Sequence, residues 1–140
     1  MSAFVGHTSI AVSDYDKSVA FYTELLGLHM DVDFGLMPAD MLTRKEGSTM
    51  RFCLLADDEG HQCIELFQFI GVEQRKFEGK VRHEDFWSSH VCILYDDVDV
   101  VYQRLVDAGV DIDIPLTENS GYKFAYVFDP DGYMVELVAK

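Results

Sequence analysis

The chain has 140 residues, of which 49% are hydrophobic, and a formal net charge of −14 at pH 7. Its length suits one domain with a real core, and its acidic excess argues against nucleic acid as a partner, because binding the phosphate backbone requires Lys and Arg. No apolar run approaches the length of a membrane span, and the first residues have neither a basic start nor a hydrophobic signal core, so we expect a cytoplasmic protein with no membrane partner.

The chain opens with a predicted strand and a predicted helix. Residues 7–12 alternate between two faces, as a half-buried strand does. Ser13 or Asp14 can cap the helix that follows, in which apolar residues recur at helical spacing. Gly27 stands where a left-handed residue commonly ends a helix.

Three further segments complete the first half. Residues 29–34 have an extended pattern, whereas residues 35–48 show weak periodicity and predict a loop or a short helix. Residues 50–56 and 62–69 predict a hairpin about the turn at 57–60.

The second half follows a polar segment, residues 71–89, that lacks a sustained period and is predicted to be a linker. The order of the first half then recurs. It consists of a strand, a helix, a second strand and a closing hairpin, at residues 90–95, 98–105, 110–114, 124–128 and 133–138.

Counting supports an internal repeat. His7 to Gly27 is 20 positions and His90 to Gly109 is 19, and the first half carries an insertion of about ten residues around 35–48. The predicted fold class is therefore α+β, with two βαβββ modules. We assign residues 1–140 to a single domain made of module one (1–70), the linker (71–89) and module two (90–140).

Each module opens with a histidine and ends its last strand with a glutamate between aliphatic residues. These residues are His7 and Glu65 in module one, and His90 and Glu136 in module two. Period-two alternation places all four opposite the faces that should pack on the helices. Two imidazoles and two carboxylates can ligate a divalent metal ion. The alternative is that the histidines are satisfied core residues and that the glutamates bond to nearby backbone or basic groups.

Four stretches form a pattern that covers nearly the whole chain: GHTSIAVSDYDKSVAFYTELLGL, CIELF, HVCILYDDVDVVYQRLVDAGV and YVFDPDGYMVELV. The pattern resembles the vicinal oxygen chelate superfamily, which includes glyoxalase I, methylmalonyl-CoA epimerase, extradiol dioxygenases and the fosfomycin and bleomycin resistance proteins. The resemblance implies an open, cup-shaped mixed β-sheet with helices on its outer face. It also implies metal ligands at His7, Glu65, His90 and Glu136.

The residue at position 65 favours one branch of the superfamily. Dioxygenases and fosfomycin-modifying enzymes need only His7, His90 and Glu136, and the epimerase is expected to carry glutamine at position 65. The Glu65 of this chain matches bacterial glyoxalase I. The positions where glyoxalase I would contact glutathione hold apolar residues instead, which argues against glutathione dependence; they are Ala11, Phe69 and Phe86.

The resemblance thus implies a glyoxalase-like, metal-dependent lyase or isomerase. Its cofactor would be one divalent ion, Zn, Ni, Co, Mn or Fe, and its substrate a small carbonyl or hydroxycarbonyl compound that reacts through an enediolate. We expect Glu136 to be the principal base, Glu65 the second base, and the protein to be a homodimer. Two alternatives stay open: an Fe(II) extradiol-type dioxygenase, and a metal-free protein that binds small molecules such as drugs.

Other reactive residues are expected to be structural. The three cysteines lack CxxC spacing and are predicted to be small buried hydrophobic residues; they are Cys53, Cys63 and Cys92. His29, His61 and His83 are predicted to lie at the surface. The residues beside the four candidate ligands predict a mainly apolar cup; they are Ser9, Ala11, Cys63, Phe67, Cys92, Leu94 and Met134.

Overall fold

The structure is a computed structural model, and it describes residues 2–3 and 5–140. It divides into two compact units, Met1–Lys76 and Phe77–Lys140, here called the first and second units. The grouping of two modules and a linker into one domain stays a prediction.

The first unit is a four-stranded mixed sheet with a helix packed on one face. In chain order the elements are β1 (Thr8–Ala11), α1 (Tyr15–Ala20), a π-helical turn (Phe21–Leu25), β2 (His29–Pro38), α2 (Asp40–Thr43), β3 (Thr49–Ala56) and β4 (Gln62–Ile70). The strand order is β1-β4-β3-β2, in which β1 and β4 are parallel and the other neighbours are antiparallel.

Helix α1 begins where the sequence predicts it. The carboxylate of Asp14 accepts a hydrogen bond from the Lys17 amide at 3.1 Å, which satisfies one of the unpaired donors of the first turn. The sequence did not predict the π-helical turn, in which the Leu26 amide donates to the carbonyl of Phe21 at 3.1 Å. The wider turn allows the consecutive residues Phe21 and Tyr22 both to be buried.

The insertion at residues 35–48 contains both a strand extension and a short helix. β2 continues to Pro38, paired with β3, and α2 follows it. The expectation of a loop was therefore wrong for residues 35–38. A shift in register between Asp33 and Gly35, where Gly35 has φ +67°, interrupts the alternation that would have marked the strand.

The second unit repeats the arrangement with the strand order β5-β8-β7-β6. A two-residue turn at Ser120 and Gly121, both with positive φ, joins β6 to β7, so β6 extends beyond the predicted residue 114. Residues 71–89 contain no helix or strand in the part of the chain that is described. The elements are β5 (His90–Tyr95), α3 (Val98–Asp107), β6 (Ile112–Asn119), β7 (Tyr122–Phe128) and β8 (Met134–Ala139).

Each sheet buries the residues that alternate with the candidate ligands. Ile64 and Leu66 flank Glu65 and are fully buried, as are Val135 and Leu137 on either side of Glu136. Because successive strand residues point to opposite faces, both glutamates lie on the face turned away from the core. The prediction of an α+β fold with two βαβββ modules is confirmed. None of the described helices has the length and apolar character needed to cross a membrane.

Candidate metal centre

In the first unit, the predicted ligands His7 and Glu65 are in contact. His7 Nε2 lies 3.1 Å from Glu65 Oε2, and the Ser9 hydroxyl donates to the same oxygen at 2.6 Å. The parallel pairing of β1 with β4 places Ser9 directly beside Glu65 and so explains the second contact. The Glu65 side chain is only 13% exposed, and the His7 side chain is 39% exposed.

In the second unit, His90 and Glu136 form a similar contact. His90 Nε2 lies 3.2 Å from Glu136 Oε2, and the Tyr126 hydroxyl donates to Glu136 Oε1 at 2.8 Å. Glu136 has Tyr126 beside it on β7 and Cys92 beside it on β5. Its two carboxylate oxygens therefore have different partners, whereas both contacts of Glu65 are to one oxygen.

The two histidine–glutamate pairs occupy equivalent places in the two sheets. Ser9 is paired with Glu65 and Cys92 with Glu136, and in each unit the histidine lies two residues before the paired strand residue. The structure thus brings the four predicted ligands together as two pairs, one in each unit. No group of three or more His, Cys, Asp and Glu side chains suited to a metal ion is found among the described residues. The convergence of all four on one ion stays a prediction.

Each pair nevertheless fits a divalent ion. Two ligand atoms that lie about 2.1 Å from a metal and subtend a right angle are about 3.0 Å apart, and a tetrahedral angle gives about 3.4 Å. The observed separations of 3.1 and 3.2 Å fall between these values. An imidazole nitrogen and a carboxylate oxygen are suitable donors for Zn, Ni, Co, Mn or Fe.

Glu136 also changes the acidity of its neighbours. Burial, together with the hydrogen bond and charge of Glu136, raises the pKa of Tyr126 to about 12. Tyr126 is therefore a protonated hydroxyl donor at neutral pH. Partial removal of the sulfur from water, followed by the charge of Glu136, raises the pKa of Cys92 to about 11. The structure corrects the expectation of burial for Cys92, which is exposed, and for Cys63, which is half-buried, whereas Cys53 is buried as predicted.

The linker contributes a residue that the sequence did not connect with the site. His83 is exposed, as predicted, but its Nε2 lies 3.0 Å from Asp113 Oδ2 and its ring lies edge-on to Tyr126, with centroids 4.5 Å apart. The ring of His90 also meets Tyr126 edge-on, at 5.3 Å. No spacing in the sequence connects His83 with Tyr126. The register of the closing hairpin, by contrast, could have placed Tyr126 opposite Glu136.

The other predicted surface histidines contact exposed carboxylates. His29 Nε2 lies 2.6 Å from Asp58 Oδ1, and His61 Nδ1 lies 3.4 Å from Asp57 Oδ2. Both pairs have the chemistry of the candidate site but are much more exposed than Glu65 and Glu136. They are useful as controls.

Comparison with known proteins identifies the family. The family model of the Glyoxalase/Bleomycin resistance protein/Dioxygenase superfamily matches residues 4–137. The chain belongs to this superfamily.

Relatives within the family are distant. The uncharacterized protein YwbC of Bacillus subtilis is 29% identical over 98% of each chain. The probable lactoylglutathione lyase of Vibrio cholerae is 28% identical, over 94% of this chain and 87% of its own.

Solved structures agree with the fold. A glyoxalase family protein from Bacillus cereus superimposes with a TM-score of 0.84 at 18% identity, covering 96% of this chain and 92% of its own. The trypanothione-dependent glyoxalase I of Leishmania major gives a TM-score of 0.69 at 30% identity, covering 99% and 87%.

Proposed function

We propose that the protein is a metal-dependent, glyoxalase-like lyase or isomerase that acts on a small carbonyl or hydroxycarbonyl compound. The main support is the occurrence of a histidine–glutamate contact at the same register position in each of the two sheets. A single such contact is common on protein surfaces. The same contact on the face turned away from the core in both sheets is better explained by a common function of the two pairs. The names of the relatives agree with this class.

We propose that His7, Glu65, His90 and Glu136 hold one divalent ion, with the two units supplied by one chain or by two chains. Such an ion supplies positive charge that stabilises the negative oxygen formed when a carbonyl compound loses an adjacent proton. All four donors are of the required type, and both pairs have the separation expected of neighbouring ligands.

The protein groups have distinct roles in the proton transfer. A carboxylate bound to a cation is a weak base, so Glu136 would act as the base once it is released from the ion as the substrate enters. It then takes the proton from the carbon next to the carbonyl, and the electron pair of the broken C–H bond forms the enediolate. Tyr126 holds Glu136 Oε1 through its hydroxyl, so that the carboxylate has a fixed orientation. Glu65 is the second base, which can return a proton to the neighbouring carbon and complete an isomerisation.

Glutathione is not the expected carrier. Phe69 belongs to a stack of phenylalanine rings in the first unit, and Phe86 is an exposed apolar residue. Neither side chain can hydrogen-bond to the peptide groups or pair with the charges of a tripeptide thiol. We therefore propose that the substrate reacts as a free carbonyl compound.

Solvent deuterium exchange tests the proposed reaction. Hydroxyacetone is incubated in D2O with protein loaded with Ni, Co, Zn, Mn or, without oxygen, Fe(II), and deuterium at the carbon bearing the hydroxyl is followed by NMR. Because a positioned general base contributes about 10²- to 10⁴-fold, Glu136→Gln should lower the rate at least 100-fold. His29→Ala, which removes the imidazole of an exposed pair, should leave the rate unchanged.

Oxygen uptake tests the alternative function, an Fe(II) extradiol-type dioxygenase. An extradiol dioxygenase would need only His7, His90 and Glu136. Oxygen uptake with catechols that survives in Glu65→Gln, without any deuterium exchange in the wild type, would contradict the proposed lyase or isomerase activity.

We also propose that the protein is a cytoplasmic homodimer. The open sheets leave β1 and β2 at the edges of one sheet and β5 and β6 at the edges of the other, and exposed edges favour pairing between chains. Light scattering at micromolar concentration should give twice the mass of the chain, and a monomer mass would contradict the dimer.

A further inference from the structure

The second unit has an open cavity that begins at the proposed base. Its volume is about 340 Å³, which is within the usual range of small-molecule sites. Glu136 lies at one end, and the turn between β6 and β7 lies at the other. The lining residues are Asn119, Ser120, Tyr122, Phe124, Tyr126, Glu136 and Val138.

Aromatic rings form one wall of this cavity. Tyr122, Phe124 and Tyr126 are at alternate positions of β7, so they share one face of the sheet. The rings of Phe124 and Tyr126 meet edge-on with centroids 6.0 Å apart, while Tyr122 is 69% exposed. Tyr122 and Tyr126 are four steps of about 3.4 Å apart, or about 14 Å, so the wall is long enough for a benzene ring beside a two-carbon carbonyl group.

The lining of the cavity has no basic side chain to pair with a negatively charged ligand. None of its seven described lining residues is Lys or Arg, and Glu136 carries a negative charge when ionised. Lys123, between Tyr122 and Phe124 in the sequence, does not line the cavity. Its Nζ donates to Asp99 Oδ1 on α3 at 2.6 Å. A negatively charged group on the far part of a ligand, away from Glu136 and the proposed ion, would therefore find no basic side chain among the lining residues.

We propose that the substrate is an uncharged carbonyl compound with a flat, apolar body, and that this body lies against Tyr122 and Phe124 while its reacting carbon reaches Glu136. The inference rests on the proposed function and adds a substrate class to it. Asn119 and Ser120, at the far end, provide amide and hydroxyl groups that can hydrogen-bond to a neutral polar substituent.

Three hydroxyketones of graded structure test the inference through deuterium exchange. They are hydroxyacetone, 2-hydroxy-1-phenylethanone and the 4-carboxylate of the phenyl compound. In the metal-loaded wild type, kcat/KM should be at least tenfold higher for the phenyl compound than for hydroxyacetone, and at least tenfold lower for the carboxylate than for the phenyl compound.

Two variants locate the preference. Tyr122→Ser and Phe124→Leu should each lower the ratio of phenyl to methyl kcat/KM at least threefold. Phe77→Ser is the matched control, because Phe77 is also an exposed ring of the second unit, 60% exposed, but does not line the cavity. An unchanged ratio in both cavity variants, or equal use of the carboxylate, would overturn the inference and leave the proposed function intact.

A binding measurement separates this inference from the reaction. Acetophenone, which lacks the hydroxyl group, is titrated into the metal-free protein and amide shifts are recorded by NMR. Shifts at Tyr122 and Phe124, with none at Phe77, are expected. Absence of these shifts would overturn the inference whatever the exchange result. Shifts without exchange of any hydroxyketone would contradict the proposed function alone.

Discussion

The thiol of Cys92 reports on the charge of Glu136, because the two residues are paired across β5 and β8. Partial desolvation and the negative charge of Glu136 raise the pKa of Cys92 to about 11. Replacing Glu136 with Gln removes the charge but leaves the desolvation. The pKa of Cys92 should therefore fall in Glu136→Gln, because a nearby carboxylate favours the neutral thiol over the thiolate.

The size of the effect follows from the thiolate fraction. At pH 8, a thiol of pKa about 11 is about 0.1% ionised, whereas an ordinary thiol of pKa about 8.5 is about one-quarter ionised. The more basic thiolate is intrinsically more reactive by about 13-fold for a Brønsted slope of about 0.45. The wild-type thiol should thus react about 20-fold more slowly than an ordinary exposed thiol.

Alkylation of the metal-free protein with iodoacetamide measures this rate. Peptide mapping by mass spectrometry separates the exposed Cys92 from the buried Cys53. In Glu136→Gln the rate at pH 8 should rise several-fold but stay below the 20-fold ceiling. Asp99→Asn is the control, since it removes a carboxylate that Lys123 engages on the helix. Two results would refute the contact between Glu136 and Cys92. One is a wild-type Cys92 that is alkylated as fast as an ordinary exposed thiol, and the other is an equal rate in the wild type and in Glu136→Gln.

Two further predictions concern stability. Leu66→Ala, at a fully buried position of β4, should lower the free energy of unfolding by about 2–5 kcal/mol in urea titrations. Leu36→Ala, at a 65% exposed position of β2, should change it by less than about 0.5 kcal/mol. Equal effects of the two substitutions would contradict the assignment of Leu66 to the buried face and Leu36 to the exposed face. The pKa of Asp57 is lowered, first by the hydrogen bond that its carboxylate accepts from the His61 amide. The ionised carboxylate therefore stabilises the folded protein above the unfolded pKa of about 3.9, and this stabilisation is lost as the pH falls through the folded pKa. Unfolding of Asp57→Asn should therefore depend less on pH than that of the wild type below about pH 4, and parallel pH profiles would argue against the carboxylate cap.

Much of the fold follows from local patterns in the sequence. The cap at Asp14, the glycine that ends the first helix and the alternation around both glutamates all act over a few residues, so they can be recognised without tertiary information. The extension of β2 beyond Gly35 could not be recognised in this way. A bulge changes which residues share a face, and it is stabilised by pairing with the next strand, β3, so the alternation of β2 alone does not reveal it.

In the candidate site, too, local patterns identified some residues, whereas contacts that depend on tertiary packing were missed. Alternation and the internal repeat identified His7, Glu65, His90 and Glu136, and each pair is in contact in its own unit. The contact between His83 and Tyr126 depends on where an irregular linker packs, and no periodicity encodes that position. The exposure of Cys92 is a similar case, because alternation assigns a residue to a face but does not determine what covers that face.

Metal stoichiometry tests the central claim most directly. Protein saturated with Ni, Co, Zn or Mn and then desalted is analysed for metal in the wild type, Glu65→Ala, His90→Ala and the control His29→Ala. The four-ligand site predicts one ion per chain in the wild type and in His29→Ala, and loss of that ion in both other variants, although each removes a ligand from a different unit. Two ions per chain, an ion retained in either Glu65→Ala or His90→Ala, or no bound metal in the wild type would contradict it.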